Sequence, residues 1–173
     1  MDRSETSRRN RRVLLTVLLL FLAAGAALAV FLVKISRKDP VSPEVFTAVL
    51  ADRGVSCEDI TADLQPEADD IVLGLLGRTQ SFRSSYFLQG EYYQLVSDSA
   101  AMRFYASIRA SLEAKKGNVS AQTSTALGNY AIYTLSTNGS YYYAAQVGQT
   151  VVFFSADGEC KDAVREMAGE LGY

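Results

Sequence analysis

The 173-residue chain has no histidine, no tryptophan and only two cysteines, Cys57 and Cys160. Without histidine, Ser–His and Cys–His nucleophiles are excluded, and the commonest metal ligand is missing. There is no G-x-x-x-x-G-K-[ST] loop, no G-x-G-x-x-G turn and no G-x-S-x-G elbow, so the signatures of nucleotide binding and of serine hydrolases fail. Cys-x-x-Cys is absent as well, which removes the usual redox motif. The stretch Cys57–Asp70 is rich in carboxylates but lacks the alternating Asp series of an EF-hand loop, and reads as solvated surface rather than a calcium site. Basic charge is scarce over most of the chain. Residues 1–39 hold eight basic against three acidic side chains, a balance of +5, whereas residues 40–173 hold nine against sixteen, or −7. An acidic body lacks the basic face that displaces counterions from phosphate, which argues against nucleic acid as a partner. No cofactor is implied.

What the sequence does contain, first of all, is a long apolar run. Val13 to Val33 has no charge and a single polar interruption, Thr16, over 21 residues. A helix needs about 20 such residues to cross the hydrocarbon core. Five arginines precede the run and three basic residues follow it, a bias that favours a cytoplasmic N-terminus and an extracytoplasmic C-terminal part. The organisation expected is a basic tail over residues 1–12, a single-pass signal anchor in the plasma membrane over 13–33, a linker over 34–41 and one domain over 42–173. The alternative is a signal peptide cleaved near Ala29, since Ala27-Leu28-Ala29 resembles a cleavage site; the domain would then be secreted. The apolar run continues past Ala29 and exceeds the usual 7–15 residues of a signal peptide, which favours the anchor.

The domain sequence alternates helix and strand signals. Ser42 as N-cap, Pro43 at the first helical position and Gly54 beyond the end bracket a first helix, with Val41 placed to pack on Phe46. Ile71–Leu76 is an apolar run interrupted by Gly74 and fits either helix or strand. Ser84 to Val96 has strand composition, with Gly90 expected at a bulge or bend. Ser97 or Asp98 caps a helix in which Ala101, Tyr105, Ile108 and Leu112 keep a 3.6-residue period, and Gly117 is its expected stop. Asn118–Ser124 reads as a loop. Tyr130–Ser136, Ser140–Val147 and Thr150–Ser155 then read as a meander whose first turn is Asn138-Gly139. A last helix carries Cys160, Val164, Met167 and Leu171 on one face. The fold expected is α+β, with a four-stranded, largely antiparallel sheet carrying helices on one face.

Three sets of residues invite a functional reading. Cys57 and Cys160, outside the cytoplasm, are candidates for a disulfide closing most of the domain. Tyr92, Tyr93, Tyr141, Tyr142 and Tyr143 lie in strands, where alternation turns part of the set away from the helices and offers a tyrosine-bearing surface to a partner. Asp59 with Asp63, and Ser111 with Lys115, are the pairs nearest to catalytic chemistry, yet both have the spacing of ordinary surface residues.

Asn129-Tyr130, Asn138-Gly139, Tyr141-Tyr142-Tyr143, the run Gly148 to Phe153 and the ending Glu170-Leu171-Gly172-Tyr173 resemble a group of small, uncharacterised surface proteins of Gram-positive bacteria. In that group a lipid or helical anchor precedes one α+β domain. The resemblance implies the layout and no activity. The function expected is therefore a membrane-anchored, extracytoplasmic module of the cell envelope that binds another envelope protein and is not an enzyme. The alternatives are a small-molecule or polysaccharide-binding surface domain and, further off, a hydrolase using two carboxylates.

Overall fold

The computed structural model describes residues 18–26, 37–64, 69–79, 87–118 and 120–173. Two compact units divide the chain, Met1–Arg37 and Lys38–Tyr173. In the first, residues 18–26 are helical and leave Leu18, Leu19, Leu20, Phe21 and Leu22 exposed. The basic tail, both ends of the expected span, Ala29 and residues 34–36 lie outside the described residues, as does the Ser84–Tyr86 start of an expected strand. Among the described residues, no helix is long and apolar enough to cross a membrane.

The second unit is built on one antiparallel sheet. Its strands are β1 (Cys57–Asp59), β2 (Ile71–Arg78), β3 (Leu88–Leu95), β4 (Ser120–Leu127), β5 (Tyr130–Thr137), β6 (Ser140–Val147) and β7 (Thr150–Asp157). They run in the order β1-β2-β3-β7-β6-β5-β4. The helices are α1 (Pro43–Ala51), the single turn α2 (Thr61–Leu64), α3 (Asp98–Ala114) and α4 (Lys161–Glu170), which a 3₁₀ turn at Gly158–Cys160 introduces.

Local chemistry explains most of these boundaries. Ser42 accepts the Val45 N–H to open α1, and Ser97 accepts the Ala100 N–H to open α3. Asn138 and Gly139 both take positive φ, 51° and 76°, the conformation of a two-residue hairpin turn that matches strand twist. The undecided run Ile71–Leu76 is strand, because both of its faces are covered: Leu73 and Leu75 pack in one core cluster and Ile71 in the other.

Three expectations are corrected. The described sheet has seven strands rather than four. Helices cover both of its faces rather than one: α1 and α4 pack over Tyr92, Val152 and Phe154, while α3 packs over Tyr93, Ala144 and Val151. Neighbouring residues of one strand point to opposite faces, so apolar residues in succession, as in Tyr92-Tyr93 and Val151-Val152, need two covered faces. Gly90 is not at a bulge. Register runs unbroken through it, and the irregularity lies between Ile71 and Leu73.

The entry to the domain is tied to the β4–β5 turn. Asn129 Oδ1 accepts the Lys38 backbone N–H at 3.1 Å, and Asn129 Nδ2 donates to the Lys38 carbonyl at 2.7 Å. Lys38 Nζ donates to the Gly172 carbonyl and stands 5.2 Å from the Tyr130 ring centre. Asn129→Ala removes a reciprocal pair of half-buried bonds and is expected to lower stability by about 1–3 kcal/mol. Urea titration should show a lower midpoint at unchanged slope.

Candidate functional site

Most of the residues singled out from sequence serve the framework. Tyr92 and Tyr141 are 1% exposed and Tyr93 and Tyr143 6%, so four of the five tyrosines are core rather than surface. Tyr92 donates its hydroxyl to the Val41 carbonyl at 3.1 Å, and Tyr93 donates to Glu91. Tyr142 is half-buried, packed against Phe153 with Lys115 Nζ 5.2 Å from its ring centre. The expected tyrosine surface is absent because its premise, an uncovered sheet face, does not hold.

Cys57 and Cys160 are two free, half-buried thiols, not a disulfide. Register sets Cys57 level with Gly77, then Gly90, then Phe154. It is therefore three strand spacings, about 14 Å, from β7, and Cys160 stands beyond the end of that strand. A disulfide tolerates roughly 4.4–6.8 Å between Cα atoms. Burial raises the pKa of both thiols, which disfavours thiolate chemistry.

The paired carboxylates and the Ser–Lys pair are not brought into a site either. Asp59 Oδ1 accepts the Thr61 N–H at 2.8 Å and the Thr61 hydroxyl at 2.6 Å, local bonds at the entry to α2 that hold its carboxyl below the usual range. Asp63 is exposed. Ser111 donates to the Ser107 carbonyl, while Lys115 leans on Tyr142. Among the described residues, no three His, Cys, Asp or Glu side chains gather as metal ligands.

An open groove lies where α3 leaves the sheet. α3 packs on β6, β7 and β3 and buries Tyr133 and Leu135 of β5, while the outermost strand β4 is left exposed. The groove, of about 630 Å³, is walled by Met102, Tyr105 and Ala106 of α3 and by Ala126, Leu127 and Ala131 of the hairpin. That volume is within the range of ligand pockets, about 300–1,000 Å³. Met102 and Leu127 are large apolar side chains left 59% and 49% exposed. Arg109 and Glu113 supply the charges of the groove. Arg109 sits 5.4 Å from the Tyr133 ring centre, and Lys116 hydrogen-bonds Glu113 and holds its carboxyl below the usual range. Burial and the neighbouring Glu113 push Tyr133 up to about 12, so its hydroxyl stays protonated and donates to Gln122 Oε1 at 3.2 Å.

β4 forms one wall of the groove and is also the outer edge of the sheet, exposed along all eight residues. Sequence reasoning missed it and assigned Asn118–Ser124 to a loop. The usable signal was Gly128-Asn129 before Tyr130, a two-residue turn whose first residue takes φ 58°.

No family model and no curated protein matches the chain. Among solved structures it is similar to the extracellular domain of PknH from Mycobacterium tuberculosis, at 11% identity, over 77% of this chain and 95% of that one, with a TM-score of 0.44.

Proposed function

We propose that the protein is a membrane-anchored, extracytoplasmic binding module without catalytic activity, and that it docks an envelope protein in the groove between α3 and the β4–β5 hairpin. The groove carries the reading: exposed Met102 and Leu127 flank an apolar floor with one arginine and one carboxylate beside it. Exposed apolar side chains rimmed by polar ones are what a docking site for a protein segment requires. The uncharged run Val13 to Val33 and the arginines before it support the anchor and its orientation.

The two alternatives have less support. Polysaccharide binding called for aromatic faces open in a cleft, and four of the five tyrosines are buried. A two-carboxylate hydrolase needs its acids about 5–9.5 Å apart in a pocket, and Glu113 is the one carboxylate lining this groove.

The test is crosslinking of the full chain in intact membranes, followed by mass spectrometry. One dominant envelope protein should be captured, and Met102→Glu or Leu127→Glu should reduce its capture at least about fivefold, since a charge in a desolvated contact costs more than 1 kcal/mol. Both side chains are exposed, so stability should change by no more than about 0.5 kcal/mol. Capture unchanged in both variants would remove the groove from the reading.

A further inference from the structure

The two edges of the sheet are built differently. β1 is three residues long, carries Glu58 and Asp59, and has Arg78 paired to Glu58 at 3.4 Å. β4 keeps register with β5 over eight residues without a break, and its sequence SAQTSTAL has no charge, proline or glycine. Shortness, charge, proline and bulges are the devices that stop an edge strand from pairing with another chain. β1 has two of them and β4 has none. We infer that β4 pairs antiparallel with β4 of a second copy of this chain, joining the two sheets across a two-fold axis.

The register follows from the ladder. Leu127 and Tyr130 close the two-residue turn at Gly128-Asn129, so they and every second pair along β4 and β5 bond to each other. Ser120, Gln122, Ser124 and Ala126 therefore turn their N–H and C=O groups outward. A two-fold axis perpendicular to the sheet and centred on Thr123 aligns Ser120 with Ala126 of the second copy and Gln122 with Ser124. All four outward-facing residues are then satisfied, with about eight main-chain hydrogen bonds. Between them Thr123 meets its own copy and Ala121 meets Thr125, pairs that are small or hydroxyl-bearing.

Charge favours the same occupant. Residues 40–173 carry −7, so two copies approach with least repulsion where neither presents a charge, and β4 is an edge of that kind. A foreign strand chosen by charge would find nothing on β4 to read. One strand-to-strand contact falls at the low end of interface size, below about 1,200 Å², so the dimer forms where copies are concentrated. The proposed anchor at residues 13–33 supplies that concentration, and to that extent the inference rests on the reading above.

The experiment uses the full chain in its membranes, carrying Cys57→Ser and Cys160→Ser. Facing Cα atoms of a non-hydrogen-bonded pair are about 4.5 Å apart, inside the disulfide range, so Thr123→Cys should link to itself on mild oxidation. We expect about tenfold more dimer than from Glu58→Cys on the protected edge. Ser124→Pro removes an N–H that no internal bond uses, and should bring Thr123→Cys down to the Glu58→Cys level. Because a variant could fail by misfolding, differently tagged copies carrying Thr123→Lys and Thr123→Glu are compared. Each should fail to co-purify with itself, and the mixed pair should co-purify. Dimer no greater than from Glu58→Cys, indifference to Ser124→Pro, no recovery in the mixed pair, or linkage chiefly to another protein would each overturn the inference. A Thr123→Cys dimer that forms in concentrated solution from chain that does not fractionate with membranes would uphold the pairing and reject the anchor.

Discussion

Replacing Phe154 with alanine is expected to lower stability by about 3–5 kcal/mol, and to remove most of the penalty for a methyl group at Gly90. Phe154 is fully buried, with Phe46 at 6.2 Å and Tyr143 at 6.3 Å between ring centres. It lies opposite Gly90 in the β3–β7 ladder. A Cβ on Gly90 would fall 2.9 Å from the Phe154 ring and 3.1 Å from a Leu50 methyl, too close for carbon atoms. Gly90→Ala in the native background should therefore cost about 1–3 kcal/mol through overpacking. With the ring gone, only the Leu50 contact remains, and the methyl fills part of the cavity. The double-mutant cycle should give a coupling of at least about 1 kcal/mol. Urea unfolding of the four proteins measures it, and additive penalties would show that Gly90 is not kept small by Phe154. Both residues lie on the face under α1 and α4, opposite the α3 groove, so variants that remain folded should still capture the groove's partner.

How much could be read from the sequence depended on what wrote each signal. The caps at Ser42 and Ser97 and the Asn138-Gly139 turn are local chemistry, legible within four or five residues, and the structure keeps them. The meander was legible too, because β5 to β7 combine strand composition with tight turns. β4 was not, for a physical reason: strand periodicity is produced by burial of one face, and every residue of Ser120–Leu127 is exposed. It is strand because β5 offers a ladder, which is non-local information. The tyrosines misled for a related reason. Alternation separates Tyr142 from Tyr141 and Tyr143, but only the path of α3 decides that the second face is also covered. The groove is defined by where a helix stops covering a sheet, and no spacing of Met102 relative to Leu127 could announce it.

Above pH 10 the domain is expected to lose stability steeply and to unfold before pH 12. Burial pushes the Tyr173 hydroxyl up to about 12 and drives Tyr92, Tyr93 and Tyr143 still further above their usual value; the Glu91 carboxylate adds to the effect on Tyr93. In the unfolded chain these groups ionise near pH 10. A native pKa above the unfolded one means that the contribution is complete below pH 10 and is lost as pH rises towards the native value, because the unfolded state then releases protons that the native state holds. Each tyrosine contributes up to about 1.4 kcal/mol per pH unit in that window, and the four together up to about 5–6 kcal/mol. Over two units that slope removes about 10 kcal/mol, which exhausts a domain holding up to about that much of the ordinary 5–15 kcal/mol. Tyrosinate absorbance and far-ultraviolet ellipticity, followed together, should change in one cooperative step, and Tyr143→Phe should move that step to higher pH. Gradual ionisation near pH 10 with ellipticity intact would return these tyrosines to the surface. It would also undo the argument that docking depends on the groove beside α3, since a ready aromatic face would then lie elsewhere on the sheet.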